Sequence, residues 1–383
     1  MRRLFKAKVK THILAVDLAT SFISTALAVR SPQNSAGLLS DFSVVKTFRY
    51  PLNLTGFALE TRSERQGSSG AGRPLPQIFK DAFLKVFRDA RDTTRHLDAV
   101  LVGLADPFFL EVRLSKQISR KDPKSRITLG EIADILKELE NDAKHQHNSL
   151  LPIGREISGV KINGYDVNSA EGYVGKTLEI IAVFTLATPS LRDFFNDAKE
   201  KFFPGKPIHY FSDVAILRRI VSPAASPSVI FNIDGEVTSM LYLNSGALNH
   251  IGMAPFGFST IARRLASSFK ISEEDAASLL RRYLSGALEE SQAKKVGSLL
   301  EAAEEDWWGW LQNYLKTLRL RALPKFILTG REQNLEPLMP FFMKNLEKFY
   351  GARVGGEVIN QNDLAKNTGN NRFLAGLIAF ASW

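Results

Sequence analysis

The stretch HILAVDLATSFISTALAV (residues 12–29) is an apolar strand that ends on an acid, turns within a few residues and returns as a second apolar strand. About 215 residues later VIFNIDGEVTSMLYL repeats the arrangement, with Asn232 where the first copy has Asp17. Each unit is a strand, a polar turn and a second strand, so the two form a structural echo. Their polar turns lie at strand ends, where open α/β sheets gather ligands. No other repeat of fixed period is present.

The intervening elements fit that frame. A third strand is expected at 44–50, a helix at 78–95 from apolar residues at helical spacing, and strands at 99–105 and 108–114. Thr128 with Glu131 three residues on predicts a capping box opening a helix at 129–144. Strands at 156–162 and 176–186 flank an Asn163-Gly164 turn. Helices follow at 191–203, 259–270, 273–285, 287–320 and 335–350, a short buried strand at 325–329, and an apolar helix at 372–383. Residues 64–76 are Gly/Ser-rich and read as a loop.

A chain of 383 residues is long enough for several domains. It has no cysteine, which excludes disulfides, thiolate metal sites and cysteine nucleophiles. No apolar run reaches the ~18 residues of a membrane span. The basic start MRRLFKAKVK is not followed by a small-residue cleavage site, which argues against a signal peptide.

The ordered motifs resemble the FtsA/PilM family of actin-like ATPases, named for a bacterial division protein and a type IV pilus protein. NSGALNHIGMAPFGFSTIARRLASSFKISEEDAASLL is similar to the stretch after that family's second phosphate loop. ITLGEIADILKEL with EISGVKINGYDVNSAEGYVGKTLEIIAVFTLA resembles its inserted SHS2-type subdomain. KFILTGREQNLEPLMPFF and NRFLAGLIAFASW resemble its adenosine loop and closing helix. The resemblance spans nearly the whole chain. It implies an α/β, actin-like (ribonuclease H-like) two-lobe fold with an inserted α+β subdomain. The implied divisions are a first lobe at 1–97 and 365–383, the insert at 98–203, a second lobe at 204–258 and 321–364, and a helical tip at 259–320.

In that family the cofactor is ATP with Mg, held by backbone amides of two glycine-rich hairpins, where a Cβ would obstruct the phosphates. The first loop, D-I-G-T-S in the family, is here Asp17-Leu18-Ala19-Thr20-Ser21. The second, D-I-G-G-G-T-T-D, is here Asn232-Ile233-Asp234-Gly235-Glu236-Val237-Thr238-Ser239. Both outer acids are gone, and two of three glycines have become Asp234 and Glu236. Carboxylates facing a phosphate at ~4 Å oppose it by about 4 kcal/mol at an effective dielectric near 20. That corresponds to roughly three decades of affinity. The adenosine loop, L-T-G-G in the family, is Leu328-Thr329-Gly330-Arg331, and Arg331 either stacks on a base or fills the pocket. Ala277 and Leu280 stand where the family places a Glu and a Lys toward ribose and base. The expected nucleotide site is therefore Asp17, Ala19, Thr20, Ser21, Asn232, Asp234, Gly235, Thr238, Gly330 and Arg331, with no catalytic or metal residues assigned. It reads as a former phosphate loop. An ATP-binding or ATP-hydrolysing FtsA-like protein and an actin-fold phosphotransferase are the alternatives.

By resemblance, such a chain is a scaffold at the inner face of the cell membrane. It binds a peptide of a PilN-like membrane protein or of an FtsZ-like filament protein, and self-polymer or dimer formation belongs to the same expectation. FtsA-like chains carry a short amphipathic helix after the closing one, and none follows Trp383, which tilts the expectation toward PilM. The net charge of +10 is concentrated at residues 2–10 and at Arg113, Lys116, Arg120, Lys121, Lys124 and Arg126. These read as solvated loops, or as contacts with anionic lipid. Without interleaved aromatics they do not read as a nucleic-acid groove. Arg263, Arg264, Lys270, Arg281 and Arg282 would make the tip basic, suiting an acidic peptide. His145 and His147 point apart on a helix and read as solvated. Of Trp307, Trp308 and Trp310, at least one is expected near the surface.

Overall fold

The computed structural model describes residues 11–30, 42–52, 77–221, 227–244, 247–318, 320, 323–331, 335–359, 374 and 377. The basic N-terminal run, the Gly/Ser-rich segment and most of the expected closing helix lie outside these residues.

The first lobe is a five-stranded sheet in the order β3-β2-β1-β4-β9. Its strands are β1 (Thr11–Leu18), β2 (Phe22–Arg30), β3 (Phe42–Pro51), β4 (Ala99–Leu104) and β9 (Ile208–Ser212). β1 and β4 run parallel at its centre and are covered on both faces, which is why they read as continuous apolar runs. Helix α1 (Gln77–Thr93) buries Phe79, Phe83, Val86, Phe87 and Ala90, one stripe at helical spacing. Phe83 stacks on Phe195 of helix α3 (Pro189–Phe202), with ring centres 4.0 Å apart. Leu374 and Leu377 are helical and buried in the same core.

The second lobe repeats the plan, with a sheet in the order β12-β11-β10-β13-β14. β10 (Ser228–Ile233) is central, antiparallel to β11 (Thr238–Asn244) and parallel to β13 (Lys325–Gly330). β12 (Ala247–Ala254) and β14 (Gly356–Val358) close the edges. Helices α5 (Phe258–Phe269), α6 (Glu273–Leu284) and α7 (Glu290–Leu315) form the tip, and α8 (Met339–Tyr350) packs with them. Trp307 is fully buried and Trp310 is exposed, as expected for that triplet.

Between β4 and β9 sits the inserted unit. Strands β5 (Leu110–Ser119), β6 (Leu151–Ile162), β7 (Tyr165–Asp166) and β8 (Thr177–Ala187) form a sheet in the order β5-β8-β6-β7. Helix α2 (Leu129–Gln146) lies against it, opened by the expected capping box.

Three readings are corrected. β4 pairs with β1, so the insert does not begin at 98. Helix α3, β9 and the following helix α4 (Asp213–Ile220) pack in the first lobe, so neither the boundary at 203 nor the placing of 204–220 in the second lobe holds. In each case a sheet partner distant in sequence determines membership. Finally, Arg120 is buried rather than solvated. It donates to Glu131 at 2.9 Å and to the Ser125 and Gly175 carbonyls, joining α2 to the loop before it and to the segment entering β8.

Candidate functional site

The two hairpin turns face each other at the C-terminal ends of β1 and β10, and they touch. The Thr20 amide donates to Asp234 Oδ2 at 2.9 Å, and the Glu236 amide donates to Thr20 Oγ1 at 2.9 Å. Asp234 also accepts from the Gly235 amide at 2.7 Å. A Cβ on Gly235 would lie 2.4 Å from Ser21 Cβ, so this glycine serves hairpin-to-hairpin contact. Ala19 is buried inside the first turn, its amide bonded to the Phe22 carbonyl.

Arg331 extends from the end of β13 into this contact. Its guanidinium lies 2.8–3.1 Å from the Asp17 carboxylate over three hydrogen bonds. It also donates to both oxygens of Asp213, at 2.9 and 2.5 Å, and stands 3.9 Å from Asp234. The Arg331 and Asp17 side chains have no exposure to solvent. Asn232 completes the cluster, donating to Asp213 Oδ2 at 3.0 Å. Asp17 and Asp213 come from the first lobe, and Asn232, Asp234 and Arg331 from the second. Gly330 is required because a Cβ there would meet the Ile233 carbonyl at 2.4 Å.

Three carboxylates enclose one cation. Burial pushes Asp213 up to about 7, only partly offset by Arg331, while Asp17 and Asp234 raise it further. Burial raises Asp234 as well, against Arg331 and two backbone donors. Burial alone would lower Arg331, but the three acids hold it well above its ordinary value. A buried guanidinium bound in bidentate fashion to two carboxylates is the strong form of an ion pair.

Several readings change here. Glu236 does not face the cleft. It turns outward and binds Arg263 through two bonds of 2.7 and 2.6 Å. Arg264 is paired with Asp306 at 2.6 Å. The tip's basic face is thus partly internal pairing. Thr238 lies outside the cluster, donating to the Phe256 carbonyl and accepting from Trp307 Nε1 at 3.0 Å. Leu280 is buried in the tip core. Arg331 takes Asp17 and Asp213 as its partners between the hairpins. A triphosphate between the hairpins would have to break their mutual hydrogen bonds and displace this side chain, so the residues present do not fit Mg-ATP in this arrangement.

Sequence reading missed Asp213, the acid at the end of β9. It also missed a second interlobe contact. Asp106, just after β4, accepts from Ser239 at 2.7 Å, and His250 Nε2 lies 2.6 Å from the same oxygen. An acid close to the end of an apolar strand, the feature that singled out Asp17, also marks Asp106 after β4, whereas β9, with His209 and Ser212, gives no such signal for Asp213.

No protein-family model matches the sequence, and no curated protein matches it. Solved structures do. The chain is similar to a structure of the PilM-PilN type IV pilus biogenesis complex, at 12% identity and a TM-score of 0.53, covering 97% of this chain and 98% of that one. It is also similar to the ethanolamine utilization protein EutJ from Carboxydothermus hydrogenoformans, at 11% identity and 0.46, over 98% and 93%. A MamK double helical filament matches at 10% and 0.48, over 97% and 99%. With paired five-stranded sheets, facing hairpins and the likeness to the PilM-PilN structure, the chain has an actin-like two-lobe fold.

Proposed function

We propose that this chain is a non-hydrolysing actin-fold scaffold of the PilM type. It works at the inner face of the cell membrane, where it holds a peptide segment of a PilN-like membrane protein. The observation that supports this reading is Arg331. It stands among Asp17, Asp213 and Asp234 where the resemblance leads one to expect a divalent cation and phosphates. An internal cation in that place joins the lobes permanently rather than in response to a nucleotide.

The peptide seat we assign is the cleft between the first lobe and the insert. There β9 has β4 on one side and approaches β6 on the other. Gly154 permits the approach, since a Cβ there would meet the Tyr210 carbonyl at 2.6 Å. A cavity of about 240 Å³ opens alongside, lined by Ile153, Phe184, His209, Phe211, Glu140 and Arg155. An apolar floor with one acid and one arginine at its rim suits a short mixed peptide. The division setting is less well supported, because Glu236 and Asp306 already neutralise two of the tip arginines.

Thermal denaturation with and without Mg-ATP tests the first element. A ligand at 100 times its Kd adds about 2.7 kcal/mol. The expected result is no displacement of the melting temperature at millimolar nucleotide. A clear upward shift together with phosphate release would overturn the reading. Binding of a PilN-type cytoplasmic peptide, lost in Phe211→Asp, tests the second.

A further inference from the structure

The first hairpin turn occupies the C-terminal end of β1, and β4 runs parallel beside it. The N-terminal ends of the same two strands carry a different group of side chains. His12 is the second residue of β1, and His96 and Asp98 lie in the short segment entering β4. One ligand atom from each of the three lies within 4.8 Å of the other two. We propose that His12, His96 and Asp98 form a binding site for a divalent transition metal, zinc by the chemistry of its donors.

The backbone holds this trio in place. Asp98 Oδ2 accepts from the His12 amide at 2.8 Å, and the Asp98 amide returns a bond to the His12 carbonyl at 2.9 Å. This ladder fixes the carboxylate beside the His12 ring. Thr94 fixes the third member, since its hydroxyl donates to the His96 carbonyl at 2.9 Å and accepts from the His96 amide. His96 Nε2 then faces Asp98 Oδ1 at 3.0 Å. The two imidazoles stand edge to face, their centres 5.4 Å apart and planes at 85°.

A tetrahedral zinc ion with bonds of about 2.0–2.1 Å sets its ligands roughly 3.3 Å apart. The His96–Asp98 pair already has nearly that separation. His96 is exposed, so the remaining contraction needs only its side-chain torsions. Metal binding replaces the His96–Asp98 hydrogen bond, releases any proton on the imidazoles to solvent, and leaves a coordination position for water. Asp98 Oδ2, already bonded to the backbone, then serves as the outer anchor that metal-ligating carboxylates usually have. Two imidazoles and one carboxylate favour zinc, cobalt or nickel over magnesium and calcium, which take oxygen donors. The bound ion would fasten the start of β1 to the segment entering β4.

The full-length chain, stripped with a chelator and titrated with zinc chloride by calorimetry, tests this. Cobalt substitution gives a visible absorption readout. One equivalent of zinc is expected to bind at pH 7.5. His96→Ala and Asp98→Asn should each weaken it by more than about tenfold. A His145→Ala/His147→Ala double variant should bind as the parent does. His96 is an exposed loop residue, so its variant remains decisive even if His12→Gln fails to fold. Absence of stoichiometric binding by the parent overturns the proposal. So does binding that survives His96→Ala or disappears with the double variant. This experiment reads neither nucleotide nor peptide, so its outcome is independent of the scaffold reading.

Discussion

Two arginine–carboxylate groupings flank the second hairpin. Arg331 with Asp17 and Asp213 has no solvent exposure at the guanidinium. Arg263 with Glu236 has comparable bidentate geometry, but the Arg263 side chain is 35% exposed. The chemistry is alike and the environments differ. Water screens the rim pair and can replace either partner, so its net worth is small. In the buried cluster no water substitutes, and removing one member leaves charge without compensation. The buried cluster also bridges the lobes, whereas Glu236 and Arg263 both belong to the second. One therefore determines whether the lobes stay joined, and the other adjusts a surface.

Arg331→Ala should separate the two most widely. It leaves three acids around a void, and the loss expected is about 3–5 kcal/mol in denaturant unfolding. Magnesium or calcium should restore part of that loss, because three carboxylates without their arginine form a cation site. An unchanged unfolding midpoint would show that the cluster does not hold the lobes together.

The next test uses pH. Asp213 stands at about 7 in the folded protein against an ordinary 3.8. The folded state thus keeps a proton that the unfolded chain releases. Stability from this group is fully present below about pH 4 and is lost as pH rises through 7. Glu304, pushed by burial up to about 7, adds in the same direction. Melting temperature should therefore fall between pH 5 and 8, and Asp213→Asn should flatten that slope. A variant that melts with the parent's full pH slope would remove Asp213 from the account.

Asp106→Ala strips the acceptor from Ser239 and His250, both at the lobe interface. Unsatisfied buried donors cost about 1–3 kcal/mol, which places this contact between the two arginine pairs. Hydrogen exchange should then rise in β11 and β12 ahead of the rest of the second lobe. Uniform protection would mean that Asp106 does not support that edge. Arg263→Ala should be smallest, under about 1 kcal/mol and diminished further by salt. A larger loss would mean that the rim pair is coupled to the cleft through the Glu236–Thr20 bond.

How much of this was legible follows from the range of each interaction. The hairpins, the capping box of Thr128 and Glu131, and the amphipathic face of α1 are each written within a few residues, and each formed. The acidic residues of the second turn, Asp234 and Glu236, could be read directly. Asp213 could not be placed, because β9 has only five residues, two of them polar in character, and its neighbour β4 lies a hundred residues earlier. The outward turn of Glu236 depended on Arg263 arriving from α5, which no local pattern announces. Arg120 looked like one cation in a basic run until α2 brought Glu131 beside it.

By itself the sequence determined the two strand–turn–strand units and their polar strand ends, because backbone period and turn chemistry act over a few residues. Only the tertiary structure decided that Arg331 would lie between Asp17 and Asp213. That outcome depends on two lobes meeting, and a buried charge takes whichever partners the packed chain brings within hydrogen-bonding distance, however far apart they stand in the sequence.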